Sequence, residues 1–298
     1  MFERDGILVG SNPYNGSLIT ANYNTTIADV QINNTITLQQ SLILLLPNPL
    51  TQAFLMIQYF LCINVSQSLT NTTVASMPLI VSINGVQGAV LVIGGAVFAY
   101  NQALNPLVSV QNTMGMIMLL DVTFTNNYDS EALYVYMVAF VNGSAVTCNQ
   151  NNWIMGVINP LGGTCLNIRN VLTTLLDSLN VIECTSLNTS AGVKIYNDDT
   201  IDQYAYLFPI LTTATQITNF NFTGNYVNYS LYNEIGAAIY IDSIFPLALD
   251  YGIFYVKYFL IIYLNIKIKM KNNTIDAADS VQDRTGGPCV NSVNLQNM

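Results

Sequence analysis

The run Asn197-Asp198-Asp199, with Asp202 just beyond it, places three carboxylates within a single short stretch, and Lys194 lies close by. A pair of carboxyl groups can act as acid and base in glycoside hydrolysis, so Asp198, Asp199 and Asp202 are the candidates for a carbohydrate-active site. The chemistry stops short there. The chain contains no histidine, which removes the commonest general base, the usual activator of a serine or cysteine nucleophile, and the commonest zinc ligand. A solvated Asn-Asp turn accounts for the same residues more simply. The expectation is therefore a non-enzyme, with no catalytic set, no cofactor site and no metal site.

The five cysteines are Cys62, Cys148, Cys165, Cys184 and Cys289, and they lack the close pairing of a zinc site. Cys148 and Cys165 flank an Asn- and Gly-containing loop and are the candidates for a disulfide, the alternative being buried free thiols. The Asn-x-Ser/Thr pattern of N-glycosylation occurs at Asn15, Asn24, Asn33, Asn64, Asn71, Asn142, Asn188, Asn221, Asn228 and Asn272. Composition alone would give about half as many, so the set points to a secretory route. The opening Met1-Phe2-Glu3-Arg4-Asp5 is charged and is not a signal peptide. An internal piece of a longer secreted protein, or a misplaced gene start, reconciles the two observations; the alternative is that the sequons carry no meaning.

Only 8% of the 298 residues are charged, against about 25% in an ordinary globular chain, and the net charge is −9. No acidic or basic residue stands between Asp29 and Asp121, and no basic residue between Arg4 and Arg169. Phosphate backbones are bound through Lys and Arg, so nucleic acid is excluded as a partner. Carbohydrate or another surface protein remains. Asn, Thr and Ser carry the polarity instead, which suits stacked β structure in which amide ladders replace ion pairs.

Helical periodicity is weak. Short runs rich in Val, Ile, Thr, Tyr and Phe, such as Ala89-Val90-Leu91-Val92-Ile93 and Ala132-Leu133-Tyr134-Val135-Tyr136, are punctuated by Asn, Gly and Pro, which predicts many short strands. An internal repeat organises them. One copy reads Ile217-Thr218-Asn219-Phe220-Asn221-Phe222-Thr223-Gly224-Asn225, followed by Gly236-Ala237-Ala238-Ile239-Tyr240-Ile241. A second reads Leu120-Asp121-Val122-Thr123-Phe124-Thr125-Asn126-Asn127, then Glu131-Ala132-Leu133-Tyr134-Val135. A third reads Leu179-Asn180-Val181-Ile182-Glu183-Cys184, then Ala191-Gly192-Val193-Lys194-Ile195-Tyr196. Gly94-Gly95-Ala96-Val97-Phe98-Ala99-Tyr100 matches the second half only. Asn-Pro-Leu recurs at Asn48-Pro49-Leu50, Asn105-Pro106-Leu107 and Asn159-Pro160-Leu161, a good turn-to-strand junction. Such units bury their apolar faces only by stacking, with aromatic residues inward, Asn-rich corners, and Gly-Ala contacts between coils.

The strand with an inward Phe, the Asn corner and the following Gly-Ala-Ala-Ile-Tyr-Ile resemble the repeats of right-handed parallel β-helix proteins of the pectin-lyase-like kind. The closest resemblance is to polymorphic-outer-membrane-protein-like repeats of large surface proteins. It spans roughly residues 80–241 and leaves the amino-terminal quarter unmatched. It implies an all-β, right-handed parallel β-helix solenoid, secretion, and an adhesive or structural role. The competing fold is an antiparallel β-sandwich or jelly roll, which would suit a self-assembling virion or filament subunit.

The expected organisation is an irregular or capping segment over 1–40, the β-helix over 41–251, and a poorly packed segment over 252–298. Residues 41–63 are apolar enough to span a membrane, but Pro47, Asn48 and Pro49 point to buried strands. Residues 244–266 could form a membrane span flanked by Lys267, Lys269 and Lys271, although Asp250 and Lys257 oppose it. The Phe-, Tyr-, Ile-, Lys- and Asn-dominated stretch 254–273 also reads as retained non-coding sequence. The β-helix is expected to end near Tyr251.

Overall fold

A computed structural model describes residues 2–3, 6–9, 13–14, 17–21, 24–37, 41–46, 52–67, 78–103, 105–129, 131–153, 165–186, 192–198, 200–201, 214–227, 239–243, 247–250, 253–255, 274–275 and 290–293. Among them every strand pairing is parallel, and one continuous sheet of 22 strands winds around an axis as a parallel β-helix solenoid. The antiparallel alternative is therefore not the fold.

Each coil presents three faces. The first stacks Ile43, Val81, Val108, Leu133, Leu166 and Val193 in register. The second stacks Ile27, Ile57, Ile93 and Leu119. The third stacks Ile32, Cys62, Phe98, Phe124, Cys148, Val181 and Phe222. All of these side chains point inward and are almost wholly buried. A period of two along each strand puts one residue in the core and its neighbour outside, so the columns follow directly from the alternation of Val122, Phe124, Phe220 and Phe222 with polar residues. Phe98 and Phe124 stack with ring centroids 5.0 Å apart and planes within 12°, and Phe60 caps the pair at 5.8 Å.

The corners explain the asparagine content. Between the second and third faces the chain turns on one residue with positive φ, namely Asp29, Tyr59, Gly95, Asp121, Ala145, Ser178 and Asn219 in successive coils. Between the third face and the following ladder the turn residues are Asn34, Asn64, Tyr100, Asn126, Gln150, Glu183 and Gly224. Between the first and second faces they are Gly85, Asn112, Met137 and Asn170. Left-handed backbone is open to Gly and tolerated best by Asn and Asp, so a fold with a stack of such corners recruits those residues. Gly115 answers a different need. A Cβ there would lie 1.9 Å from the Ala89 carbonyl oxygen, and Met116 N donates to that same oxygen at 3.0 Å. Only glycine lets the two coils approach so closely.

Two expectations are corrected. Gly94 to Tyr100 does not belong with the Gly-Ala-Ala-Ile-Tyr-Ile half of the repeat. Gly95 is a corner in register with Asp121, and Phe98 lies over Phe124, so this segment is another copy of the Phe-bearing half. Its glycine serves a positive φ, a demand that sequence spacing does not distinguish from close packing. The ladder also extends beyond 41–251 on both sides. Gly6–Val9 pairs with Val30–Asn33, and Thr25–Ala28 pairs with Phe54–Gln58. Ile253–Tyr255 continues Asn221–Thr223, Thr274–Ile275 pairs with Tyr226–Val227, and Val290–Val293 pairs with Ile239–Ser243. Backbone pairing propagates wherever the alternation persists, even where the Gly and Asn punctuation is sparse. Ile261, Ile262, Ile266 and Ile268 lie outside the described residues, as do Asn48-Pro49-Leu50 and Asn159-Pro160-Leu161. Asn105-Pro106-Leu107 leads into the strand Val108–Gln111, with the Pro106 carbonyl accepting from Leu79 N at 3.0 Å.

Candidate functional site

Three charged residues, Glu131, Arg169 and Lys194, meet on the outer side of the first face. Here the outward column runs Ser82, Ser109, Tyr134, Asn167 and Lys194, and the next outward column places Arg169 beside Tyr136 and Tyr196. Outward positions of a solenoid are ordinarily wet. Asn167 and Lys194 are instead 0% and 2% exposed, and Glu131, just before the strand Leu133–Asn149, is 3% exposed.

Asn167 Nδ2 donates to Glu131 Oε1 at 3.1 Å and to Oε2 at 3.4 Å. Burial pushes the Glu131 carboxyl up to about 8, against the pull of the Asn167 hydrogen bond and of the Lys194 and Arg169 cations. The Tyr134 phenol is also raised, chiefly by burial, while Arg169 opposes the shift by charge and by a hydrogen bond. The Arg169 guanidinium sits 5.4 Å from the centre of the Tyr196 ring, within cation–π range. Asn167 Oδ1 and Arg169 Nε are buried without a hydrogen-bond partner. The arrangement buries a carboxyl, raised by desolvation, beside an amide and two cations that pull the other way. Sequence reasoning missed it as a site. The signal was rarity, since Arg169 and Lys194 are the only basic residues between Arg4 and Lys257.

The carboxylate run first considered is built differently. Asp198 Oδ1 accepts from Asn170 Nδ2 at 3.1 Å, from Thr200 N at 2.9 Å, and from Thr200 Oγ1. Asp198 N donates in return to Asn170 Oδ1 at 3.0 Å. This is a side-chain-closed turn, and it ties the carboxylate down. Asn197 Oδ1 accepts from Val171 N at 2.8 Å, joining the turn to the coil before it. Lys194 is buried in register with Asn167, and its charge acts on Glu131. Asp199 and Asp202 lie outside the described residues. Among the described residues no cluster of His, Cys, Asp and Glu could hold a metal ion.

Cys148 and Cys165 are joined, with Cα atoms 5.9 Å apart, and both are fully buried. Cys62 and Cys184 are buried free thiols, each raised by burial, Cys184 to about 12. Cys289 lies outside the described residues. Of the glycosylation candidates, Asn24 and Asn64 are exposed, and Asn64 Nδ2 donates to Asn34 Oδ1 at 2.7 Å. Asn33, Asn142 and Asn221 are half-buried on outward strand positions, and Asn221 Oδ1 accepts from the hydroxyl of its own sequon residue, Thr223, at 2.8 Å. Asn15, Asn71, Asn188, Asn228 and Asn272 lie outside the described residues. No described helix is long and apolar enough to cross a membrane, and within 244–266 the described residues form the strands Leu247–Asp250 and Ile253–Tyr255.

Inside the corner that follows the third face runs a ladder of buried amides. Asn101 Nδ2 donates to Asn127 Oδ1 at 3.0 Å, and Asn127 Nδ2 donates to Asn151 Oδ1 at 2.8 Å. Each amide also binds backbone. Asn101 Nδ2 reaches Cys62 O, Asn127 Nδ2 reaches Phe98 O, and Asn151 Nδ2 reaches Phe124 O. Cys184 interrupts the ladder before Asn225, whose Oδ1 accepts from Cys184 N at 3.0 Å.

Comparison with protein-family profiles, with curated protein sequences and with solved structures finds no match to this chain.

Proposed function

We propose that this chain is part of an extracellular or cell-surface β-helix protein with a non-catalytic structural and adhesive role, of the pectin-lyase-like kind with polymorphic-outer-membrane-protein-like repeats. The observation that carries the reading is the Cys148–Cys165 bridge inside the solenoid. Disulfides persist in oxidising compartments, and a buried one within a coil serves a scaffold that must survive outside the cell. The sequons support the same route, and the low charge suits a carbohydrate or surface-protein partner. The carbohydrate-active alternative loses support because Asp198, the described member of its carboxylate set, is held by Asn170 and Thr200.

The test is to incubate the purified chain with immobilised cells and with a panel of neutral and acidic polysaccharides, following both retention and release of reducing ends. Retention without cleavage is the expected result. Release of reducing ends that disappears in Asp198→Ala would replace the adhesive reading with the enzymatic one.

A further inference from the structure

The outward side of the second face is apolar in a way that its neighbours are not. Across three successive coils it presents Phe54, Met56, Val90, Val92, Met116 and Met118 in register. The inward residues between them, such as Leu55, Leu91 and Ile117, already fill the core, so burial inside the solenoid does not explain this second set. Leu120, 40% exposed, borders it, and Phe140 continues it in the next coil. In the same coils the outward side of the first face carries Ser82, Asn84, Ser109 and Gln111, and that of the third is broken by Thr123 and Thr125. Acids line one edge of the second face only: Asp29 and Asp121 at the corner toward the third face, and Asp177 beside that corner. The opposite edge, at residues 85–89, 112–115, 137–139 and 170–172, carries no charge.

From this we infer that the second face is the contact between two copies of this chain, packed face to face about a twofold axis that runs parallel to the solenoid axis. The inference goes beyond the adhesive reading and does not depend on what the protein adheres to. An all-parallel sheet is ordinarily covered on both sides, and a patch rich in Phe and Met and free of charge has the composition of an interface core. The strands stacked from Thr25–Ala28 to Ala214–Thr218 make a face of about 34 Å by 17 Å, on the order of 600 Å² before side-chain relief is counted. A stable pair buries about 800 Å² on each partner, so the apolar centre and its polar ends together come close to what a dimer needs. Charge selects the symmetry. A twofold along the strands would set the edge of Asp121 against itself, whereas a twofold along the solenoid sets it against the neutral edge of the other copy. The column of Met56, Val92 and Met118 then meets its own counterpart, and Val90 and Phe140 come opposite the small Gly94 and Ser144. Sheets packed in this way lie about 10 Å apart, which leaves no room for a glycan on Asn142, the neighbour of Met118 in that column.

Sedimentation equilibrium of the purified full chain tests this directly, and a dimer is the expected result. Met118→Lys sets two like charges against each other at the centre of the contact and should weaken the dimer by about a hundredfold or more. Val92→Thr keeps the shape and the strand preference, so it endangers folding least; because a symmetric contact carries each change twice, it should weaken the dimer about tenfold. Both residues sit on the outside of the coil, and unchanged circular dichroism checks that the variants fold. A chain that is monomeric before any substitution overturns the inference, and so does a dimer equally tight in both variants, which would place the contact elsewhere. A monomer that sediments with phosphatidylcholine vesicles, and loses them in Met118→Lys, gives the face to a lipid surface and overturns the pairing. Peptide mapping of the chain from a secretory host supplies an independent reading: Asn142 is expected to be bare, and a glycan there in the dimer overturns this face as the contact.

Discussion

Asn127 hangs from Asn151 by two hydrogen bonds to a single oxygen: its backbone N and its Nδ2 both donate to Asn151 Oδ1, at 3.0 and 2.8 Å. A third bond, to Phe98 O at 2.9 Å, commits the remaining amide proton. Asn127→Leu fills the same space but takes the acceptor from Asn101 N and from one Asn101 amide proton and the donor from the Phe98 carbonyl in a dry interior, while the backbone N of residue 127 still donates to Asn151 Oδ1. Each buried orphan costs about 1–3 kcal/mol, so a loss on the order of several kcal/mol is expected in urea denaturation. A loss below about 1 kcal/mol would show that the ladder contributes little.

Cys184 occupies the rung where the ladder lacks its amide. It contributes a backbone donor to Asn225 Oδ1 and leaves Asn151 Nδ2 a sulfur at 4.0 Å. Cys184→Asn supplies an oxygen to Asn151 and an NH2 to the coil before it. A rise in stability of about 1 kcal/mol is expected, seen as a melting temperature a few degrees higher. An unchanged or lowered melting temperature would mean that the thiol is there for its packing.

Glu131 makes stability depend on pH in an unusual direction. Its carboxyl is raised in the folded state to about 8 from the ordinary 4.5, so folding takes up a proton wherever the unfolded chain has lost it. The contribution is fully present below about 4.5 and is lost as pH rises through about 8. Melting temperatures of the native chain and of Glu131→Gln, compared at pH 4, 6 and 9, should therefore diverge as pH rises, with the Gln variant holding its stability better. Parallel curves would show that Glu131 is ionised in the fold.

The Cys148–Cys165 bridge closes a separation of 17 residues. Chain-entropy reasoning assigns a loop of that size about 3 kcal/mol. Peptide mapping of the purified chain without reductant should recover the two cysteines linked, and replacing both by Ala should lower stability by about that amount. Free thiols at both positions would remove the main support for an oxidising compartment.

Much of the fold was legible because a solenoid writes its geometry into periodicity. Phe124 and Phe222 alternate with polar residues and stand in the same inward column, and Asn126 and Asn219 sit at turns. Gly95 was misread because a glycine that turns a corner and a glycine that admits a neighbour look alike in a string of letters. Gly115, the true close contact, belongs to no repeat copy. The outer strip was less legible still. Glu131, Asn167 and Lys194 meet only through register across three coils, and their burial depends on what covers the first face, which no local spacing encodes. Asp198 drew attention by its acidic neighbours, yet its partners Asn170 and Thr200 identify it as a turn.

Coils of unequal length under one constant ladder have a mechanical consequence. One circuit takes 24 residues from Asn127 to Asn151 and 41 from Asp177 to Thr218. Each coil is stitched only to the coils beside it, so a pull on the two ends peels them off one at a time, a few hydrogen bonds under load at once. The molecule then lengthens in unequal steps, about 80 Å for the short circuit and about 140 Å for the long one. At Cys148–Cys165 the chain withholds the slack between the two sulfurs. Tension that has stripped the outer coils meets there a covalent stop that hydrogen bonds alone do not provide.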